Sequence, residues 1–154
     1  MKTREIGALL VWVGLLMMPS SGWAYTDQIT VKAEEAWQVA QNVLKSTGFK
    51  KLDPEKKVLE TQWVHDRVLR KGKGLLKLIA SQTYDRRYRL RVRVTQRAFD
   101  SEIEIRGTFQ ERPMGPVSSK LSWKQVRPQT EDFDIERALF MRILNHLQMA
   151  RNGR

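Results

Sequence analysis

Four arginines occupy every second position of one segment: Arg87, Arg89, Arg91 and Arg93. On an extended chain such residues share a face, so their guanidinium groups would stand in a row roughly 7 Å apart. The planar fork of arginine matches a carboxylate or phosphate better than a lysine ammonium does. Arg106 lies in the next alternating segment, and Arg70, Lys71 and Lys73 surround Gly72 and Gly74. These eight cations are the candidate partner- or anion-binding residues. The competing reading is a solvated strand face neutralised by Glu102 and Glu104. The Arg70–Gly74 stretch lacks the full spacing of a phosphate loop.

The remaining reactive residue types form no catalytic pattern. His65 and His146 are the two histidines; they fall in different predicted elements without the paired spacing of a metal site. Ser118-Ser119 lacks the glycine context of a nucleophile elbow. Glu34-Glu35 and Glu131-Asp132 fit a solvated helix face and a helix start. Cysteine is absent, which excludes thiol catalysis, thiolate metal sites and disulfides. No cofactor fingerprint is present. The expectation is a protein that is not an enzyme and has no metal or cofactor; an enzyme with an unfamiliar site is the third-ranked alternative. Trp37, Trp63 and Trp123 fit core packing at their periodic positions, the other reading being an aromatic platform.

These cations need a scaffold. Ile29–Val31 is a short β-prone segment. Ala33, Trp37, Ala40 and Leu44 recur at helical spacing, predicting a helix over 32–47 that Gly48 would end. Asp53-Pro54-Glu55 reads as a turn, followed by a strand over 57–65 with Leu59, Thr61 and Trp63 on one face. Residues 66–85 fit either a loop with one helical turn or a strand extension.

Alternation over 87–94 and 102–106 predicts two strands joined through Arg97–Asp100. One register puts Val94 opposite Ile103, Val92 opposite Ile105 and Arg93 opposite Glu104. It also sets Arg91 against Arg106, which is unfavourable unless an anion or the diagonal Glu104 intervenes. Residues 112–119 form a loop, 121–126 a fourth strand. A last helix starts after Thr130-Glu131-Asp132 and runs to about Met149. The expected fold is α+β: two layers, with an antiparallel sheet of three to four strands covered on one face by two helices.

The N-terminus carries an address. Lys2 and Arg4 precede an apolar run from Ile6 to Met18, then Pro19, and Gly22-Trp23-Ala24 offers small residues where a signal peptidase reads. The organisation predicted is a signal peptide over 1–24, one domain over 25–150 and a frayed tail over 151–154. A retained N-terminal anchor is the alternative. Loss of Lys2, Arg4 and Glu5 with the leader removes a single positive charge from a net +11. The mature chain has no second apolar run able to span a membrane and no cysteine for lipid attachment, so a periplasmic or secreted protein is expected, with peripheral membrane association as an alternative. In that compartment a basic chain meets lipid headgroups, lipopolysaccharide or acidic protein faces rather than nucleic acid.

Ala36-Trp37, Gly48-Phe49, Leu59-x-Thr61-x-Trp63 and Arg87-Tyr88 together resemble the repeated domain of the BamC family, lipoprotein subunits of the outer-membrane β-barrel assembly machine. The resemblance covers about residues 29–149. It implies a helix-grip-like sandwich and a non-catalytic role in protein–protein contact, as an accessory in outer-membrane protein assembly. The leading functional expectation is thus a periplasmic protein-interaction module. The alternative is a polyanion-binding protein that holds lipopolysaccharide or anionic lipid on its arginine face.

Overall fold

The computed structural model describes residues 24–71, 81–115 and 120–152. Residues 1–23, which hold most of the predicted leader, and Lys73, the apolar Leu75–Ala80 run and Ser118-Ser119 lie outside the described residues.

Strand β1 (Tyr25–Ile29) leads into helix α1 (Ala33–Leu44), extended by a 3₁₀ turn over Lys45–Thr47. Strands β2 (Phe49–Asp53), β3 (Val58–Thr61), β4 (Val64–Lys71), β5 (Ser81–Gln96), β6 (Ser101–Pro113) and β7 (Lys124–Val126) follow, and helix α2 (Thr130–Asn152) closes the chain. The strands form one antiparallel sheet in the order β1-β6-β5-β3-β2, with β4 also on β5 and β7 also on β6. Both helices pack on one face, giving the two-layer α+β arrangement expected from the alternation of strand and helix periods.

Among the described residues the sheet has seven strands rather than three or four. One addition is β2, whose exposed Lys50, Lys51 and Leu52 disguise an edge strand. A second comes from a break: the predicted strand over 57–65 divides at Gln62 and Trp63 into β3 and β4, which pair with successive stretches of β5. Residues 64–71 and 81–85 are strand, so the strand-extension alternative is the one realised there. β1 begins four residues before the β-prone Ile29, and α2 runs through Arg151 to Asn152.

Helix α1 buries Ala33, Ala36, Trp37, Ala40, Val43 and Leu44. No side chain of its own caps its start; Gln96 Oε1 of β5 accepts the Ala33 N–H at 2.8 Å. Gly48, at φ +76°, turns the chain out of the helix, a backbone angle that L-residues resist. From α2, Leu139, Phe140, Ile143 and Leu147 meet Leu90, Val92, Val94, Ile103 and Ile105 of the sheet. Each such fully buried side chain contributes about 1.5–3 kcal/mol of burial free energy.

The β5–β6 register is the one expected: Val94 faces Ile103, Val92 faces Ile105, Arg93 faces Glu104 and Arg91 faces Arg106. Even-numbered positions of β5 therefore face the helices and odd ones the opposite side, which no helix among the described residues covers. Gly107 of β6 faces the helices too, where a β-carbon would stand 2.3 Å from the Phe109 ring.

Candidate functional site

The uncovered sheet face carries the arginine row, and the break between β3 and β4 decides what surrounds it. Trp63, freed from the strand pattern, does not share a face with buried Leu59 and Thr61; its ring lies against the guanidinium groups of Arg87, at 4.7 Å, and Arg89, at 4.8 Å. Trp123, just before β7, receives Arg87 at 4.6 Å and Arg112 at 4.5 Å. The result is an alternating stack: Arg89, Trp63, Arg87, Trp123, Arg112. His65 closes on the edge of Trp123 at 5.8 Å. Each cation–π contact contributes about 0.5–1 kcal/mol at a partly exposed site. Of the three tryptophans assigned to the core by their spacing, Trp37 alone is there; the other two form the aromatic platform. Periodicity fails at Trp63 and Trp123 because neither lies within a strand.

Acidic and amide groups hold most of the row. Arg89 Nε pairs with Glu60 at 2.9 Å, Arg106 with Glu104 at 2.9 Å and Arg93 with Glu104 at 3.9 Å. Arg87 Nε donates to Gln110 Oε1 at 2.8 Å, and Arg112 pairs with Asp85 at 3.3 Å.

Arg91 differs from its neighbours. It stands in register between Glu60 on β3 and Arg106 on β6. Glu60, however, is engaged by Arg89 and Lys50, and Glu104 by Arg106 and Arg93. Among the described residues Arg91 makes no ion pair. It lines a cleft of about 100 Å³ with Arg93, Glu104 and Arg106. The Arg106 Nε, enclosed beside it, has no hydrogen-bond acceptor among the described residues. Diagonal Glu104 answers Arg106 and leaves Arg91 uncompensated. Such a cleft suits one anionic oxygen pair.

The other basic candidates separate. Arg70 is turned under the helices, with Nη2 at 2.5 Å from Glu111 and 3.2 Å from Asp132 and Nη1 donating to Gln129 at 3.0 Å. Burial alone would lower its pKa, but Glu111 and Asp132 raise it, so it is a fixed internal cation rather than part of the open face. Its even parity on β4 causes this, because it pairs with Gln82 of β5 on the helix side. Lys71 is exposed at the end of β4.

Sequence reasoning missed a buried ion network here. Arg86 bridges Asp132 and Asp66, at 2.5 Å each, while Asp132 also accepts the Gln129 N–H. Burial pushes the Asp66 carboxyl up, but bonds from Arg86 and the Arg67 N–H, with the Arg86 charge, bring it below its usual range. The signal was available: Arg86 has the parity of Leu90, Val92 and Val94, opposite to the arginine row. Likewise Asp132 and Glu136 continue the Leu139, Ile143, Leu147 stripe of α2 backwards, and both are fully buried. His146 is exposed, its Nδ1 3.0 Å from the Arg142 carbonyl. Among the described residues no group of three His, Asp or Glu could hold a metal ion, and no helix is long and apolar enough to cross a membrane.

No protein-family model and no curated protein matches the chain. Similar solved structures include a TBP-like protein from Parabacteroides distasonis, 13% identical over 81% of this chain and 92% of that one, with a TM-score of 0.46. Another is a DUF4468 family protein from Bacteroides ovatus, 8% identical over 84% of this chain and 80% of that one, with a TM-score of 0.41. These neighbours correct the BamC resemblance, which is not upheld. Its central motif, Leu59-x-Thr61-x-Trp63, is also not one strand, since the chain breaks before Trp63. The setting in outer-membrane protein assembly rested on that resemblance and is withdrawn with it.

Proposed function

We propose that this chain is a non-catalytic interaction module of the cell envelope, exported to the periplasm by its 1–24 leader. It docks an acidic face of a partner protein on its uncovered sheet surface. The observation that carries this reading is the composition of that surface: a stack of arginine and tryptophan side chains flanked by Arg91, which makes no ion pair among the described residues. Arginine and tryptophan are the residue types that dominate binding energy at protein interfaces. A surface built for lipid or lipopolysaccharide phosphates would hold many free cations, whereas here Arg89, Arg93, Arg106 and Arg112 already have carboxylate partners. A partner carboxylate seated between Arg91 and Arg106 relieves their repulsion.

Site-specific photo-crosslinking in intact envelopes tests this. A photoreactive residue at Thr108, on the uncovered face, should give a protein adduct that disappears with Arg91→Glu, and one at Met141, on α2, should not. Adducts formed at Met141 alone, or with lipid alone, would overturn the reading; lipid adducts lost at high salt would instead favour polyanion binding.

A further inference from the structure

Glu136 is fully buried, and among the described residues it makes no ion pair. Asp132, one turn earlier on α2, is matched by Arg70 and Arg86. Glu136 has two backbone donors instead: Oε1 accepts the Gly107 N–H at 2.6 Å and Oε2 accepts the Tyr25 N–H at 3.1 Å. Burying a carboxylate against neutral donors alone is expensive. Burial accordingly pushes the Glu136 carboxyl up, aided by nearby Asp132 and opposed by those two N–H groups and the charge of Arg106.

One of these donors has a second identity. Tyr25 is the first residue of β1, and it is also the residue that follows the Gly22-Trp23-Ala24 cleavage motif. Its position is fixed independently of Glu136: it lies in register with Ile105, and its ring packs on Phe140 of α2 at 5.1 Å.

We propose that leader removal supplies the missing cation, and that the new Tyr25 α-ammonium closes a buried ion pair with Glu136 that locks β1 to α2. Hydrolysis of the Ala24–Tyr25 amide by water, at a leader peptidase, leaves a carboxylate on Ala24 and an ammonium on Tyr25. The nitrogen already sits at hydrogen-bond distance, so cleavage changes its charge rather than its place. A charged donor forms a bond roughly twice as strong as a neutral one. The inference rests on the export reading above, and it makes processing a step that stabilises the fold as well as releasing the chain.

The test has separable arms. The full chain is exported with its own leader, and the intact mass of the product gives its first residue. Tyr25 is expected; any other first residue overturns the cleavage position and the inference with it. The processed protein is then compared with a variant carrying one alanine inserted between Ala24 and Tyr25, whose processed form keeps the Tyr25 nitrogen as a neutral amide. The authentic form should melt several degrees higher at pH 7, and the gap should vanish when both carry Glu136→Gln. Equal melting temperatures, or a gap that survives Glu136→Gln, would overturn the ion pair while leaving export intact. A third measurement does not need the glutamine variant to fold. The pH dependence of α-amine acylation should put the Tyr25 amine above the ordinary value of about 8, and a value at or below it would overturn the pair.

Discussion

Arg86 and Asp132 meet at 2.5 Å beneath the first turn of α2, both buried, and the contact ties the far end of β5 to the helix layer. Arg70 and Asp66 share the same network. Removing one partner of a buried pair leaves the other charge uncompensated, which costs about 3–5 kcal/mol. Asp132→Asn should therefore lower the urea midpoint substantially with little change in slope. A loss under about 1 kcal/mol would mean that water reaches the two arginines.

Arg91→Glu should separate stability from docking. The new carboxylate would face Arg106 across the β5–β6 ladder and Glu60 across the β3–β5 one, so one like-charge pair is exchanged for another. The two effects offset, so a change in stability under about 1 kcal/mol is expected, together with loss of partner capture. A loss well beyond about 1 kcal/mol would show that Arg91 makes a compensating contact in solution.

Trp63 is held between two guanidinium groups, so Trp63→Ala should cost about 1–2 kcal/mol, more than one cation–π contact. The far-ultraviolet circular dichroism should be unchanged, since neither flanking strand is anchored by that ring. A loss of strand signal would show that Trp63 also sets the β3–β4 break.

What sequence patterning captured and what it did not divide along physical lines. The β5–β6 hairpin was readable because apolar and charged residues alternate without interruption, and Arg93 opposite Glu104 fixes the register. The α1 stripe was readable for the same reason at helical period. Trp63 and Trp123 were not, because periodicity assigns a face only to residues inside an element. The edge strand β2 was hidden by its exposed lysines. Of the candidate cations, parity alone distinguishes Arg70, on the helix side, from the row on the opposite face, and that parity becomes visible only once β4 is known to pair with β5.

The pH profile follows from two carboxylates that act in opposite directions. Glu136, raised by burial, holds its proton more tightly in the folded chain than in the unfolded one wherever the Tyr25 nitrogen is an amide. The folded state then binds more protons, so stability falls as pH rises from the ordinary value of 4.5 through the raised one. Asp66, lowered by Arg86, contributes stability that is complete above its ordinary 3.8 and is lost as pH falls through its folded value. Denaturation of the alanine-inserted form across pH 3–8 (about that range) should show both slopes. Glu136→Gln should erase the upper one and leave the lower.

The pairing of β1 with β6 also has a consequence in time. A ribosome makes the chain from its N-terminus, so β1 exists long before the Ser101–Ile105 stretch it pairs with and the Glu136 carboxylate that receives its first nitrogen. The pairs β2–β3, β4–β5 and β5–β6 join strands consecutive in the chain, and each closes over a short stretch of sequence. β1 must wait for nearly the whole polypeptide. A chain truncated before β6 has nowhere to seat it, so docking of this strand marks a molecule whose synthesis has passed β6.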